Sequence, residues 1–145
     1  MPTIALSQSI AEPAAEVFAV VSDVAAYAQW NPTIAGARLL SDGAVGDGTP
    51  FEFRIKRMGR QALEVTNFEA GRSIRLEPRS GMMDGGHRFT LSEEGGGTRV
   101  DHELVMQPKG VLRLLGPLMA MVARRKLRQT ADALEARVAA LRAAR

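Results

Sequence analysis

HRFTLSEEGGGTRVDHELVM, residues 87–106, reads as two strands and the turn between them. His87, Phe89 and Leu91 share one face of the first strand. Thr98, Val100, His102, Leu104 and Met106 share one face of the second, with Arg99, Asp101 and Glu103 on the other. Alternation of this kind marks a half-buried strand. Glu94-Gly95-Gly96-Gly97 supplies the positive backbone angles a hairpin needs. Because these glycines join two strands and open no helix, they are a turn and not a phosphate cradle.

The same pattern continues toward the N-terminus. Ser73 to Arg79 points Ile74 and Leu76 inward, and Ala62 to Phe68 does so with Leu63, Val65 and, by parity, Asn67. Thr49 to Lys56 turns Phe51, Phe53 and Ile55 one way, and Ala37 to Leu40 is a further short strand. Ser41-Asp42-Gly43, Met58-Gly59-Arg60, Ala70-Gly71-Arg72 and the loop Ser80 to Gly86 separate these runs. Thr3 to Ile10 alternates as well, with Gln8 the polar residue on the side of Ile4, Leu6 and Ile10. Between it and the strand run lie two short helices. Pro13 opens the first, Asp23 is placed to cap the second over Val24 to Gln29, and Trp30-Asn31-Pro32 closes it.

Consecutive strands joined by short turns form an antiparallel sheet with one apolar face to be covered. The cover is expected from Val111 to Arg145, a segment of high helix propensity that Gly116-Pro117 bends or starts. Leu127, Ala131, Leu134, Val138 and Leu141 form one stripe, while Leu114, Leu115, Leu118, Met119, Met121 and Val122 are apolar nearly all round. The fold class is therefore α+β.

At 145 residues the chain is one domain, long enough to hide roughly two-thirds of its unfolded surface with no metal or disulfide staple. It has no cysteine, which excludes a disulfide framework, a thiol nucleophile and a Cys-ligated metal. No signal-like segment and no membrane-length apolar run is present, so a cytoplasmic protein is expected. Charge is uneven. From Lys109 onward nine basic residues face two acidic ones, and the first 108 residues carry ten basic and fourteen acidic. Such a split marks either an anionic partner or a basic helix lying on an acidic body.

Ile10-Ala11-Glu12-Pro13-Ala14-Ala15-Glu16-Val17-Phe18, the run DVAAYAQWNP from Asp23 to Pro32, and Gly96-Gly97-Thr98-Arg99-Val100 follow one another in this order. With these pieces the chain resembles the polyketide cyclase/dehydrase branch of the START/Bet v 1-like (SRPBCC) superfamily over essentially its whole length. The resemblance implies a helix-grip fold: a curved antiparallel sheet of about seven strands wrapped around the C-terminal helix, with a cavity between them. It implies one ligand-binding domain over residues 1–145 that takes lipids, polyketides, quinones or similar molecules. Some members are cyclases or dehydratases. The motifs shape the fold and specify no reaction.

Of the polar residues, His102 faces inward and is the one candidate for acid–base work or for a hydrogen bond to a ligand. The alternative is a core histidine bonded to a neighbour. His87 lies nearer the glycine-rich loop, at the expected pocket mouth. Asn67 and Gln8 add polar groups to an apolar concave side, the usual make-up of a small-molecule site. Trp30 either walls one end or simply packs. Phe51, Phe53, Phe89, Leu63, Val65, Leu76 and Leu104 line the sheet side, and Leu118, Met119 and Val122 the helix side. Met82 and Met83 are adaptable loop residues. Two histidines without ligand spacing make no metal site, and no cofactor motif occurs.

Three functions follow as expectations. The first is carriage of a small hydrophobic ligand between sheet and helix. The second is a cyclase or dehydratase using His102. The third is a membrane-surface or interaction module, in which Arg124-Arg125-Lys126-Leu127-Arg128 follows the uncharged stretch Leu114 to Ala123. Nucleic acid is disfavoured, because the basic run lacks interleaved aromatics. Monomer and homodimer are both left open.

Overall fold

Period-two alternation becomes strand at Thr3–Ile10 (β1), in a computed structural model that describes residues 3–79, 83–84, 86–105, 107–108 and 114–144. Helix α1 (Ala14–Ser22) and a 3₁₀ helix (Val24–Gln29) follow. Then come β2 (Ile34–Leu39), β3 (Pro50–Ile55), β4 (Gly59–Glu69), β5 (Ser73–Pro78), β6 (Met83–Asp84), β7 (His87–Glu94), β8 (Gly97–Val105), β9 (Gln107–Pro108) and α2 (Gly116–Ala143). Among the described residues seven strands form one antiparallel sheet in the order β1-β8-β7-β5-β4-β3-β2, and β6 pairs with β9 apart from it. Met82 and Met106 lie outside the described residues, as does the side chain of Met83.

Register places the inward residues in rows, because residues directly opposite share a face. One row runs Ile4, Leu104, His87, Leu76, Val65, and the next runs Leu6, His102, Phe89, Ile74. The β7–β8 turn is tight: Glu94 pairs with Gly97, and Gly95 and Gly96 sit at φ of 55° and 86°. Positive φ at both central residues is the pattern that twists with its flanking strands. The β3–β4 turn falls earlier than the Met58-Gly59-Arg60 reading, since Ile55 already pairs with Gly59.

Parity fails in one strand. The β4–β5 register shifts between Thr66 and Glu69, with Asn67 at φ of 49°. Asparagine tolerates that left-handed region better than most residues. The bulge resets the alternation, so Asn67 is exposed rather than inward, and Phe68 turns in against Phe18 with ring centroids 5.6 Å apart.

The helices after β1 cover much of the apolar face. α1 buries Val17, Phe18, Val20 and Val21, and the 3₁₀ helix buries Val24 and Tyr27. Tyr27 donates its hydroxyl to the Val21 carbonyl at 2.5 Å, and burial pushes the phenol's pKa up. The side chain of Asp23 makes no capping bond, contrary to the expected N-cap, and the turn winds as 3₁₀. α2 begins at Gly116 with Pro117 in its first turn, where the missing N–H costs nothing. It buries Ala123, Leu127, Thr130, Ala131, Leu134 and Val138, but Leu141 is exposed because it falls in the last turn. Arg137 reaches Gln29 of the 3₁₀ helix at 3.0 Å and Arg142 reaches Glu12, in the link between β1 and α1, at 2.5 Å, which ties the far end of α2 to the segment after β1.

The core is in two parts. The main cluster joins α1, the 3₁₀ helix and the sheet with Leu134 and Val138 of α2. A smaller cluster joins Ile4 of β1 to Ala123 and Leu127 of α2, with Leu6, Leu104, Met119 and Ala120 packed against it.

Candidate functional site

A polar group lies where α2 crosses the β1–β8 edge of the sheet. His102 of β8 is fully buried, and its Nε2 stands 2.6 Å from Oε1 of Gln8 on β1. Gln8 in turn donates its Nε2 to the Ala131 carbonyl of α2 at 2.9 Å. These two contacts fix the protons. A carbonyl only accepts, so the Gln8 nitrogen faces Ala131 and its oxygen faces the imidazole. The His102 Nε2 therefore carries hydrogen, and in the neutral ring Nδ1 is a bare acceptor. That Nδ1 is sealed from solvent and has no hydrogen-bond partner among the described residues.

His87 of β7 stands beside it, with ring centroids 5.6 Å apart. As a residue His87 is half-buried, yet its Nε2 is likewise sealed and unpartnered among the described residues. Phe89 touches both, stacked on His87 at 4.1 Å and edge-on to His102 at 5.0 Å. Burial lowers the His102 pKa to about 4, against a weaker upward pull from Asp101. Burial, with the charge His102 would carry, lowers that of His87 to about 3. Both rings are neutral at pH 7. Asp101 projects to the opposite face, where hydrogen bonds from Ser7 at 2.5 Å and Arg99 at 3.1 Å hold its carboxyl below the usual range.

Two imidazole nitrogens unsatisfied among the described residues, each costing about 1–3 kcal/mol, are not what packing alone would select. The arrangement can accept a hydrogen bond from a hydroxyl in apolar surroundings. Leu104, Leu76 and Val65 continue the His87 row beneath it. Phe51, Phe53 and Leu63 belong to the main cluster toward the other edge. There Tyr27 stacks on Phe53 at 5.2 Å and meets Trp30 at 4.9 Å, and the Trp30 Nε1 is also buried without a partner among the described residues. Met119 packs on the smaller cluster.

Leu118 and Val122 face away from the sheet, 52% and 45% exposed, contrary to the expectation that they line the pocket. The helical period places them opposite Ala123 and Leu127, and a run apolar all round gave no face to choose. Thr130 was missed, although it lies beside the Leu127–Leu134 stripe, whose Ala131 is buried as expected. Described residues line two grooves. One, of about 390 Å³, runs between β1 and α2 past Ile4, Leu6, Leu127, Arg124, Arg125 and Arg128. The other, of about 300 Å³, lies beside the β7–β8 turn. None of the expected pocket residues lines either groove. No group of three or more His, Cys, Asp or Glu among the described residues is placed to hold a metal ion. No helix among them is long and apolar enough to cross a membrane.

The sequence profile of a family described as polyketide cyclase/dehydrase and lipid transport matches residues 1–139. No curated protein matches the chain. Solved structures share the fold. A protein from Thermus thermophilus superposes with a TM-score of 0.83 at 19% identity, over 97% of this chain and 99% of that one. A START superfamily protein from Mycobacterium smegmatis gives 0.82 at 24% identity, over 96% and 98%. An aromatase/cyclase from Streptomyces sp. R1128 gives 0.77 at 13% identity, over 94% and 93%. At these identities the likeness is one of fold.

Proposed function

The chain belongs to the polyketide cyclase/dehydrase and lipid transport family, and from that premise we propose that residues 1–145 act as one domain binding a small hydrophobic molecule that carries a hydroxyl or phenol. The observation that carries this reading is the sealed Nδ1 of His102, an acceptor whose partner ring nitrogen is already held by Gln8. The apolar part of the ligand lies along Phe89, Leu104 and Leu76, and its hydroxyl donates to His102. Each Å² of apolar ligand surface removed from water contributes about 25 cal/mol. The binding belongs, on this reading, to the cytoplasm.

Native mass spectrometry of the purified protein is expected to release an apolar molecule. A fluorescence titration with hydroxylated and deoxy forms of one aromatic ligand then reads the polar contact. His102→Phe is expected to weaken the hydroxylated form by roughly tenfold and leave the deoxy form unchanged, the size of one hydrogen bond. Equal affinity of the two forms for the native protein, or no binder among lipids, quinones and aromatic polyketides, defeats the reading.

A cyclase or dehydratase using His102 is the second reading. It has the buried imidazole in its favour. A ring whose pKa is about 4 is a weak base at neutral pH, however, and serves better as an acceptor than as a proton carrier. Turnover that His102→Ala abolishes would reverse that preference.

A further inference from the structure

The first turns of α2 carry apolar side chains on the face turned away from the sheet, and Leu114, just before the helix, is exposed as well. Leu114 is 84% exposed, Met121 63%, Leu118 52% and Val122 45%. Leu118, Met121, Val122 and Arg125 follow one another at helical spacings of three, four and seven, so they form one outward stripe. The inner face of the same turns is already satisfied, with Ala123 and Leu127 packed on Ile4. The outer side chains belong to neither core cluster, and folding does not account for them. Contiguous exposed apolar patches of this kind mark interaction sites.

The turn that follows is basic. Arg124, Arg125 and Arg128 line the groove of about 390 Å³ beside the edge strand β1. None of the three has a hydrogen-bond or ion-pair partner among the described residues. Farther along the same helix, Arg137 and Arg142 are bonded to Gln29 and Glu12. The far end of α2 is thus tied to the body, while the near end presents cations with no partner among the described residues next to exposed apolar side chains.

We propose that this end of α2 docks on an anionic bilayer surface. Leu114, Leu118, Met121 and Val122 enter the boundary between headgroups and acyl chains, and Arg124, Arg125 and Arg128 receive lipid phosphates. An apolar stripe bordered by basic residues on one exposed helix face is the chemistry of interfacial binding. Each basic residue near an anionic leaflet strengthens it by about fivefold. A second copy of the chain fits less well, since a two-fold contact presents each patch to itself and would set these arginines against their own copies. The docking needs no ligand in the core, so it stands apart from the binding reading above.

Flotation of the full chain with phosphatidylcholine vesicles, with and without phosphatidylglycerol, tests it. Binding is expected only where phosphatidylglycerol is present, and it is expected to fall as salt rises. The double variant Leu118→Ser/Met121→Ser and the triple variant Arg124→Gln/Arg125→Gln/Arg128→Gln are each expected to bind at least tenfold less tightly. Melting temperatures should hold, because all five side chains are exposed. Equal binding to neutral vesicles, no binding to either kind, or variants that bind like the native chain each overturns the proposal. So does a dimer seen by light scattering that Leu118→Ser/Met121→Ser dissociates in a protein that ignores vesicles, which would assign the face to a second copy.

Discussion

His102 and Gln8 are partners across 94 positions of sequence, and their bond reaches a third element through the Ala131 carbonyl. Removing one member strands the others. Gln8→Leu is expected to cost about 1–3 kcal/mol in urea unfolding, and Gln8→Leu/His102→Leu less than the sum of the two single changes. The same burial makes stability depend on pH. Both histidines titrate lower in the folded state than the ordinary value of 6.5. Between pH 6.5 and about 4 the unfolded chain therefore binds more protons than the folded one, and acidification destabilises. The slope is up to about 1.4 kcal/mol per pH unit for each histidine. Unfolding midpoints measured from pH 7 to pH 4 should fall, and His102→Leu should flatten the fall. Asp101 acts only below this window. Period two was enough to put both histidines inside. It was not enough to show which nitrogen is held, because the partners come from distant strand and helix, nor to foresee Asn67, where a bulge restarts the count.

At the scale of elements, close backbone approach fixes the β7–β8 turn. A Cβ on Gly97 would meet the Ile10 carbonyl oxygen at 2.5 Å and the Ala11 Cα at 3.2 Å, both backbone atoms that cannot step aside. Gly97→Ala is expected to cost about 1–3 kcal/mol, read as a lower melting temperature. The halves of α2 should respond differently to truncation. Leu134 is fully buried, so Leu134→Ala should cost about 2–5 kcal/mol. Leu118→Ala should stay within about 0.5 kcal/mol, as surface changes do. The bounds of the 3₁₀ helix were legible from Asp23 and Trp30, but its winding and its missing cap were not, since both depend on how Tyr27 is drawn into the core. The second half of α2 was legible as a stripe. The first half was not, because a helix apolar all round does not declare which side meets the sheet.

Taken whole, the molecule packs the first half of α2 on the smaller cluster and the second half on the main one. The α+β architecture, the antiparallel sheet and the long terminal helix follow from alternation, turn chemistry and propensity, while the pairing of β1 with β8 does not, and the family profile spans nearly all of the chain. What alternation could not show is that the interior divides, with Ile4, Ala123 and Leu127 apart from the main body and the Gln8–His102 pair close to the division. Deuterium exchange should resolve two tiers along α2. Amides beyond Thr130 are expected to exchange only through near-global unfolding, and those from Leu118 to Leu127 through a smaller opening of lower free energy. Such breathing would admit a guest to the imidazoles while the sheet stayed intact.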